Sequence, residues 1–249
     1  MKHFPTLSML ALLWASAPLS WAATEITSTN FSQMNARMVV TDTHMLTLQT
    51  DPSQYLIMDL NTGEHLSVFK NDKVAVEMSA LPAFNKESLF TRAALPKRAQ
   101  FTLKHLGKGP KIAGYPTEHY QILADSTLCA ETWLSVEAME KGELKHFLTQ
   151  FSKHSTKQRE AYLSAGTEYE ACDDVMGRAS EEYPKLGLAM RTKDESGSIL
   201  QEVTAIKVNV AFDTKAYLVP KDYQRMTFEE LIRRDNAGTD ADDALIDGL

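Results

Sequence analysis

The chain has 249 residues with 26 basic and 33 acidic side chains, a formal net charge of −7. That length supports one domain, or two small ones, with a real core. At 43% hydrophobic and 24% charged residues the body is ordinary globular protein, and the acidic balance excludes nucleic acid as the expected partner, because phosphate binding needs a concentrated basic surface.

The chain opens with a short positive region at Lys2, an apolar stretch from Leu7 to Ala17, and Ser20-Trp21-Ala22 ahead of Ala23. Small residues three and one positions before a cut are the pattern of a secretory signal peptide, expected over 1–22. The apolar run is too short to cross about 30 Å of hydrocarbon, and no later run of about 20 apolar residues follows. Export to the periplasm of a Gram-negative bacterium is the expected localisation, with residues 23–234 as a single domain. In an exported chain the two cysteines, Cys129 and Cys172, are expected to form a disulfide. They lack the paired spacing of a zinc site.

Downstream, short runs rich in Val, Leu, Ile and Met occur at 36–40, 44–49, 54–60, around 65 and at 73–80. Turn-prone pieces such as Asp51-Pro52-Ser53 and Asn61-Thr62-Gly63 separate them, which predicts an antiparallel meander. Residues 81–96 are expected to form a loop with a short helix. Strands resume at 100–106, 117–124 and 128–135.

The period then changes. Leu144, Phe147, Leu148 and Phe151 stand at i, i+3, i+4 and i+7, one apolar face of a helix expected over 136–153. Residues 155–183 read as mostly helical, with Tyr162, Leu163, Tyr169 and Val175 as contacts. Strands return at 188–195 and 200–212, where Ile206, Val208, Val210 and Phe212 share a parity expected to face inward. Thr227 followed by Glu230 matches a capping box for a short helix over 227–234. The tail, 235–249, holds five Asp and no basic residue and is expected to be disordered. The fold class is therefore α+β: a curved antiparallel sheet or incomplete β-barrel covered by a mid-chain helical block.

No nucleophile elbow, P-loop, zinc-protease or dinucleotide motif is present, so no enzyme, cofactor or metal is expected. His146 and His154 lie two helical turns apart, about 12 Å, too far to share one metal ion. His105, Glu118 and His119 sit on neighbouring strands and read as ordinary strand side chains rather than a catalytic pair. Asp240, Asp242 and Asp243 lack the spacing of a calcium loop.

Three segments in order, `IMDLNTGEHLSVF`, `KIAGYPTEHYQI` followed by `ETWLS`, and `VTAIKVNVAFDTKAYLVPKDYQRM`, resemble a bacterial family, domain of unknown function 4412. The positions that carry the resemblance are Asp59, Ile112, Gly114, Tyr115, Tyr120, Trp133, Val219, Pro220 and Tyr223. The resemblance implies a fold similar to the LolA/LolB-type lipoprotein carriers, a curved incomplete barrel under helices with an apolar cavity. It carries over no catalytic residue. On this reading Leu144, Phe147, Leu148 and Phe151 are candidate ligand-binding residues for a lipid, acyl chain or lipoprotein. The alternative is an envelope structural or protein-interaction factor whose sheet is filled by its own side chains.

Overall fold

A computed structural model describes residues 21–30, 35–48, 53–78, 98–164, 170–213, 215, 218–231 and 233–234. The expected leader over 1–20, the loop at 81–96 and the tail at 235–249 lie outside these residues. The last two leader positions, Trp21 and Ala22, belong to the first strand, where they pair with Phe212 and Ala211.

Two antiparallel meanders meet along one long seam. The first comprises β1 (Trp21–Asn30), β2 (Asn35–Val40), β3 (His44–Leu48), β4 (Gln54–Asp59), β5 (His65–Phe69) and β6 (Val74–Glu77). The second comprises β7 (Phe101–Lys108), β8 (Glu118–Ala124), β9 (Thr127–Ser135), β10 (Leu188–Asp194) and β11 (Ile199–Phe212). β1 pairs with β11, so the two become one sheet, ordered β12-β6-β5-β4-β3-β2-β1-β11-β10-β9-β8-β7. The last strand, β12 (Gln224–Thr227), runs parallel to β6.

The expected α+β architecture with a curved sheet is observed, and of the barrel expectation only closure is corrected: the sheet is not a closed β-barrel. The sheet is open, with β7 and β12 as its two edges. After β11 the chain reaches the far edge, where, among the described residues, β12 extends the sheet beyond β6 and does not meet β7. At the other edge Lys104, Lys108 and a register shift between His105 and Gly107 blunt β7 against further pairing.

Three helices lie between β9 and β10, which are themselves paired antiparallel strands. They are therefore one insertion into a strand connection. α1 (Val136–Met139) is a single turn capped by Ser135, whose Oγ accepts from the Ala138 N–H at 3.2 Å. α2 (Leu144–Ser164) and α3 (Ala171–Leu186) follow. The expected continuous helix from 136 breaks at 140–143, where Gly142 takes a positive φ of 49° and lies against Thr24. Thr24 fixes the restart: its hydroxyl donates to the Glu143 carboxylate at 2.6 Å.

Alternation along the strands sorts the core. Met45 and Met58, cross-strand partners on β3 and β4, belong to the cluster under α2. Their neighbours Leu46 and Ile57, also partners, belong to a second cluster. Val219 and Tyr223 of the crossing segment pack against that second cluster, so this part of the sheet is covered on both faces.

β11 departs from its expected parity. Ile206 packs against the cluster under α2 and Phe212 against the second cluster, while Val208 is 43% exposed. A register shift against β1 and a positive φ at Asn209 put an extra residue into the strand there and turn Val208 outward.

Candidate functional site

The interface between α2 and the sheet is the first candidate. Leu144, Phe147 and Leu148 are buried, at 0%, 5% and 7% exposure, in one cluster with Ile26, Met58, Leu60, Trp133 and Met190. Phe151 is half-buried and packs against the same cluster, with its ring 5.5 Å from that of Phe147. The structure thus brings all four predicted ligand-binding residues together. It sets three of them inside the packing and leaves Phe151 at the margin, among partly buried Met38, Tyr115 and Ile206.

The turn before β8 carries Ile112, Gly114 and Tyr115. Ile112 and Tyr115 form an isolated antiparallel bridge around Ala113 and Gly114, both at positive φ. Gly114, at 87°, suits that turn because it has no Cβ to clash. Ile112 is buried in the cluster under α2, and Lys141 stands over the Tyr115 ring.

Trp133 is the second focus. It is 7% exposed. The His119 ring stacks on it at 4.3 Å with the planes 9° apart, and Arg191 and Lys193 each lie 5.6 Å from an indole ring centroid. His119 faces its cross-strand partner directly, and Arg191 is the partner on the other side. Glu131 stands 3.6 Å from His119 Nε2, and Glu202 holds Arg191 at 2.6 Å. Sequence reading singled out Trp133 and His119 separately. The Arg191-x-Lys193 alternation marks two cations on one strand face, but only the β9–β10 register shows that they share Trp133.

The histidines divide by role. His105 Nε2 lies 2.7 Å from Glu118 in an exposed pair, and His154 Nε2 donates to the Leu60 carbonyl at 2.9 Å. Among the described residues no group of three or more His, Cys, Asp or Glu side chains is placed to hold a metal ion.

The helical insertion carries the remaining charge chemistry. Cys129 of β9 and Cys172 of α3 are joined as a disulfide, with Cα atoms 5.3 Å apart. Arg159 of α2 donates through Nε to Glu181 of α3 at 2.8 Å and reaches the buried Asp174 at 3.5 Å. Arg178 reaches Asp174 at 3.4 Å. On the sheet, burial acts to raise the Glu25 carboxyl, but hydrogen bonds from Arg37 and Lys207 outweigh it and hold that carboxyl below its usual range.

No family model and no curated protein matches the chain. Solved structures similar to it include three at 10% identity each. A crystal structure of MucB has a TM-score of 0.35 over 82% of this chain and 60% of its own. A crystal structure of MucB in complex with MucA(peri) has a TM-score of 0.37 over 83% and 57%. The Pseudomonas aeruginosa MucA/MucB complex has a TM-score of 0.36 over 84% and 59%. The chain thus spans less than two thirds of the length of the structures it matches.

Proposed function

We propose that the chain is an exported, non-enzymatic envelope protein that acts by binding a protein partner. The observation that carries this reading is the packing of the α2 stripe. An acyl-chain carrier needs apolar side chains facing an open space. Leu144, Phe147 and Leu148 instead fill the face of the sheet with the protein's own side chains. Export rests on the leader-like N-terminus. Among the described residues no helix is long and apolar enough to cross a membrane.

A carrier for a lipid, acyl chain or lipoprotein is the second reading, and one feature favours it. Phe151, Met38, Tyr115 and Ile206 form a half-buried margin beside a cluster rich in methionine, where flexible side chains can re-pack around a guest. Membership of the domain of unknown function 4412 family belongs to the same proposal, supported by the motif order and by the open sheet under helices.

Native mass spectrometry of protein purified from the periplasm tests the choice. The leading reading expects a stoichiometric protein complex and no lipid adduct. A retained lipid with no protein partner makes the chain a carrier.

A further inference from the structure

We propose that the Cys129–Cys172 disulfide is a redox-sensitive latch that holds the N-terminal half of α3 on the β7–β9 end of the sheet, and that a dithiol reductant releases it. The inference rests on the packing of α3 and not on the function proposed above.

Besides the bond, that half is held by one small apolar cluster and by the contacts of Asp174 and Arg178. The buried residues of α3 are Asp174, Val175 and Ala179. Val175 and Ala179 belong to one cluster with Ile122, Ala124 and Ala130 of the sheet, with Met176, Phe101 and Leu103 packed at its margin, and its alanines bury little apolar area. Asp174 is a buried carboxylate whose ion pairs with Arg159 and Arg178 are long, at 3.5 and 3.4 Å, so its desolvation is poorly offset. Its N-cap residue, Glu170, makes no side-chain capping hydrogen bond.

The other half is fastened independently. Glu181 accepts from Arg159, and Tyr183 shares a hydrogen bond with Thr132 of β9. α3 therefore divides into a fixed C-terminal half and an N-terminal half whose covalent link is the disulfide. Arg178 passes the effect to the sheet edge: it donates to the Ala99 carbonyl at 3.0 Å, and its guanidinium lies 5.0 Å from the Phe101 ring at the start of β7. Release of α3 loosens that edge.

Cys172 is half-buried and Cys129 is 5% exposed, so Cys172 Sγ is the sulfur open to attack. The reductant's thiolate attacks it, the S–S bond breaks, and Cys129 leaves as a thiolate that takes up a proton. The reductant's second thiol then displaces Cys172 and closes the reductant's own disulfide. Two electrons pass from the dithiol to the protein.

Hydrogen exchange of the full chain tests this in three forms: oxidised, reduced with dithiothreitol, and with Cys129→Ser and Cys172→Ser together. In the dithiothreitol-reduced protein and the double variant the amides of 172–179 are expected to exchange about tenfold faster or more, a larger factor than any change in β3–β5. Unchanged protection at 172–179 overturns the proposal. So does an equal loss across β3–β5, which would make the bond a global staple, and so does release in dithiothreitol but not in the double variant.

Discussion

His154 Nε2 donates to the carbonyl oxygen of Leu60 at 2.9 Å, which ties α2 to the hairpin joining β4 and β5. The same ring lies over Gly63, where φ is 81° and an added Cβ would collide with the imidazole. Two features of one hairpin, the accepting carbonyl of Leu60 and the missing side chain of Gly63, therefore seat one histidine. His154→Ala is expected to cost about 1 kcal/mol, the net worth of a hydrogen bond. Gly63→Ala adds a strained backbone to a displaced ring and is expected to cost about 1–3 kcal/mol. Urea denaturation midpoints check the order, and a larger loss for His154→Ala contradicts it.

The stripe on α2 yields a graded prediction. Phe147 is 5% exposed inside the cluster, so Phe147→Ala is expected to cost about 3–5 kcal/mol through lost burial and a residual cavity. Phe151→Ala, at the half-buried margin, is expected to cost less. Thermal melts of the two variants measure the difference. Equal losses would place Phe151 in the packed interior as well.

Glu25 gives a pH dependence of definite sign. Its folded carboxyl is held below the usual carboxylate range despite burial, by hydrogen bonds from Arg37 and Lys207, so the proton binds less tightly in the folded chain than in the unfolded one. The stability it contributes is present above its unfolded pKa and is lost as pH falls through the lower folded value. Glu25→Gln is therefore expected to lower stability at neutral pH and to flatten the loss on acidification below about pH 4.5. Arg37→Ala leaves the carboxylate buried with Lys207 alone and is expected to cost about 1–2 kcal/mol, discounted for the exposure of Arg37. Denaturant titrations across pH 3–7 read both effects, and a steeper acid limb in Glu25→Gln contradicts the assignment.

The strand runs of the first meander were legible because each alternates or clusters apolar residues between turn residues. β2 to β6 fall where those runs stand. The disulfide partners followed from count and export context, and the capping box at Thr227 and Glu230 is present, with Glu230 N–H donating to Thr227 Oγ1 at 3.2 Å. What stayed hidden depends on distant pairing. The parallel contact of β12 with β6 joins residues about 150 positions apart, and nothing local in `QRMT` announces it. The break at 140–143 arises because Thr24, on the first strand, holds Glu143. The stripe at Leu144, Phe147, Leu148 and Phe151 was visible as an apolar face, but periodicity alone does not say whether such a face meets packed side chains or a ligand.

Removal of the disulfide gives a stability prediction separate from the latch. The bond closes a separation of 43 residues. Chain-entropy reasoning gives up to about 4 kcal/mol for a loop of that size, so Cys129→Ser with Cys172→Ser is expected to lower the denaturation midpoint by an amount within that limit. Denaturant midpoints of the oxidised protein and the double variant make the comparison. An unchanged midpoint contradicts a stabilising role for the bond.

The central claim, that the sheet face under α2 is filled by the protein's own side chains and serves no acyl-chain cargo, is tested most directly by titrating the wild type with a fluorescent fatty acid. The account predicts no saturable uptake at micromolar probe. Saturable one-to-one uptake that Phe151→Ala weakens, while its melting temperature stays near that of the wild type, would contradict it and make the half-buried margin of α2 the mouth of a carrier's pocket.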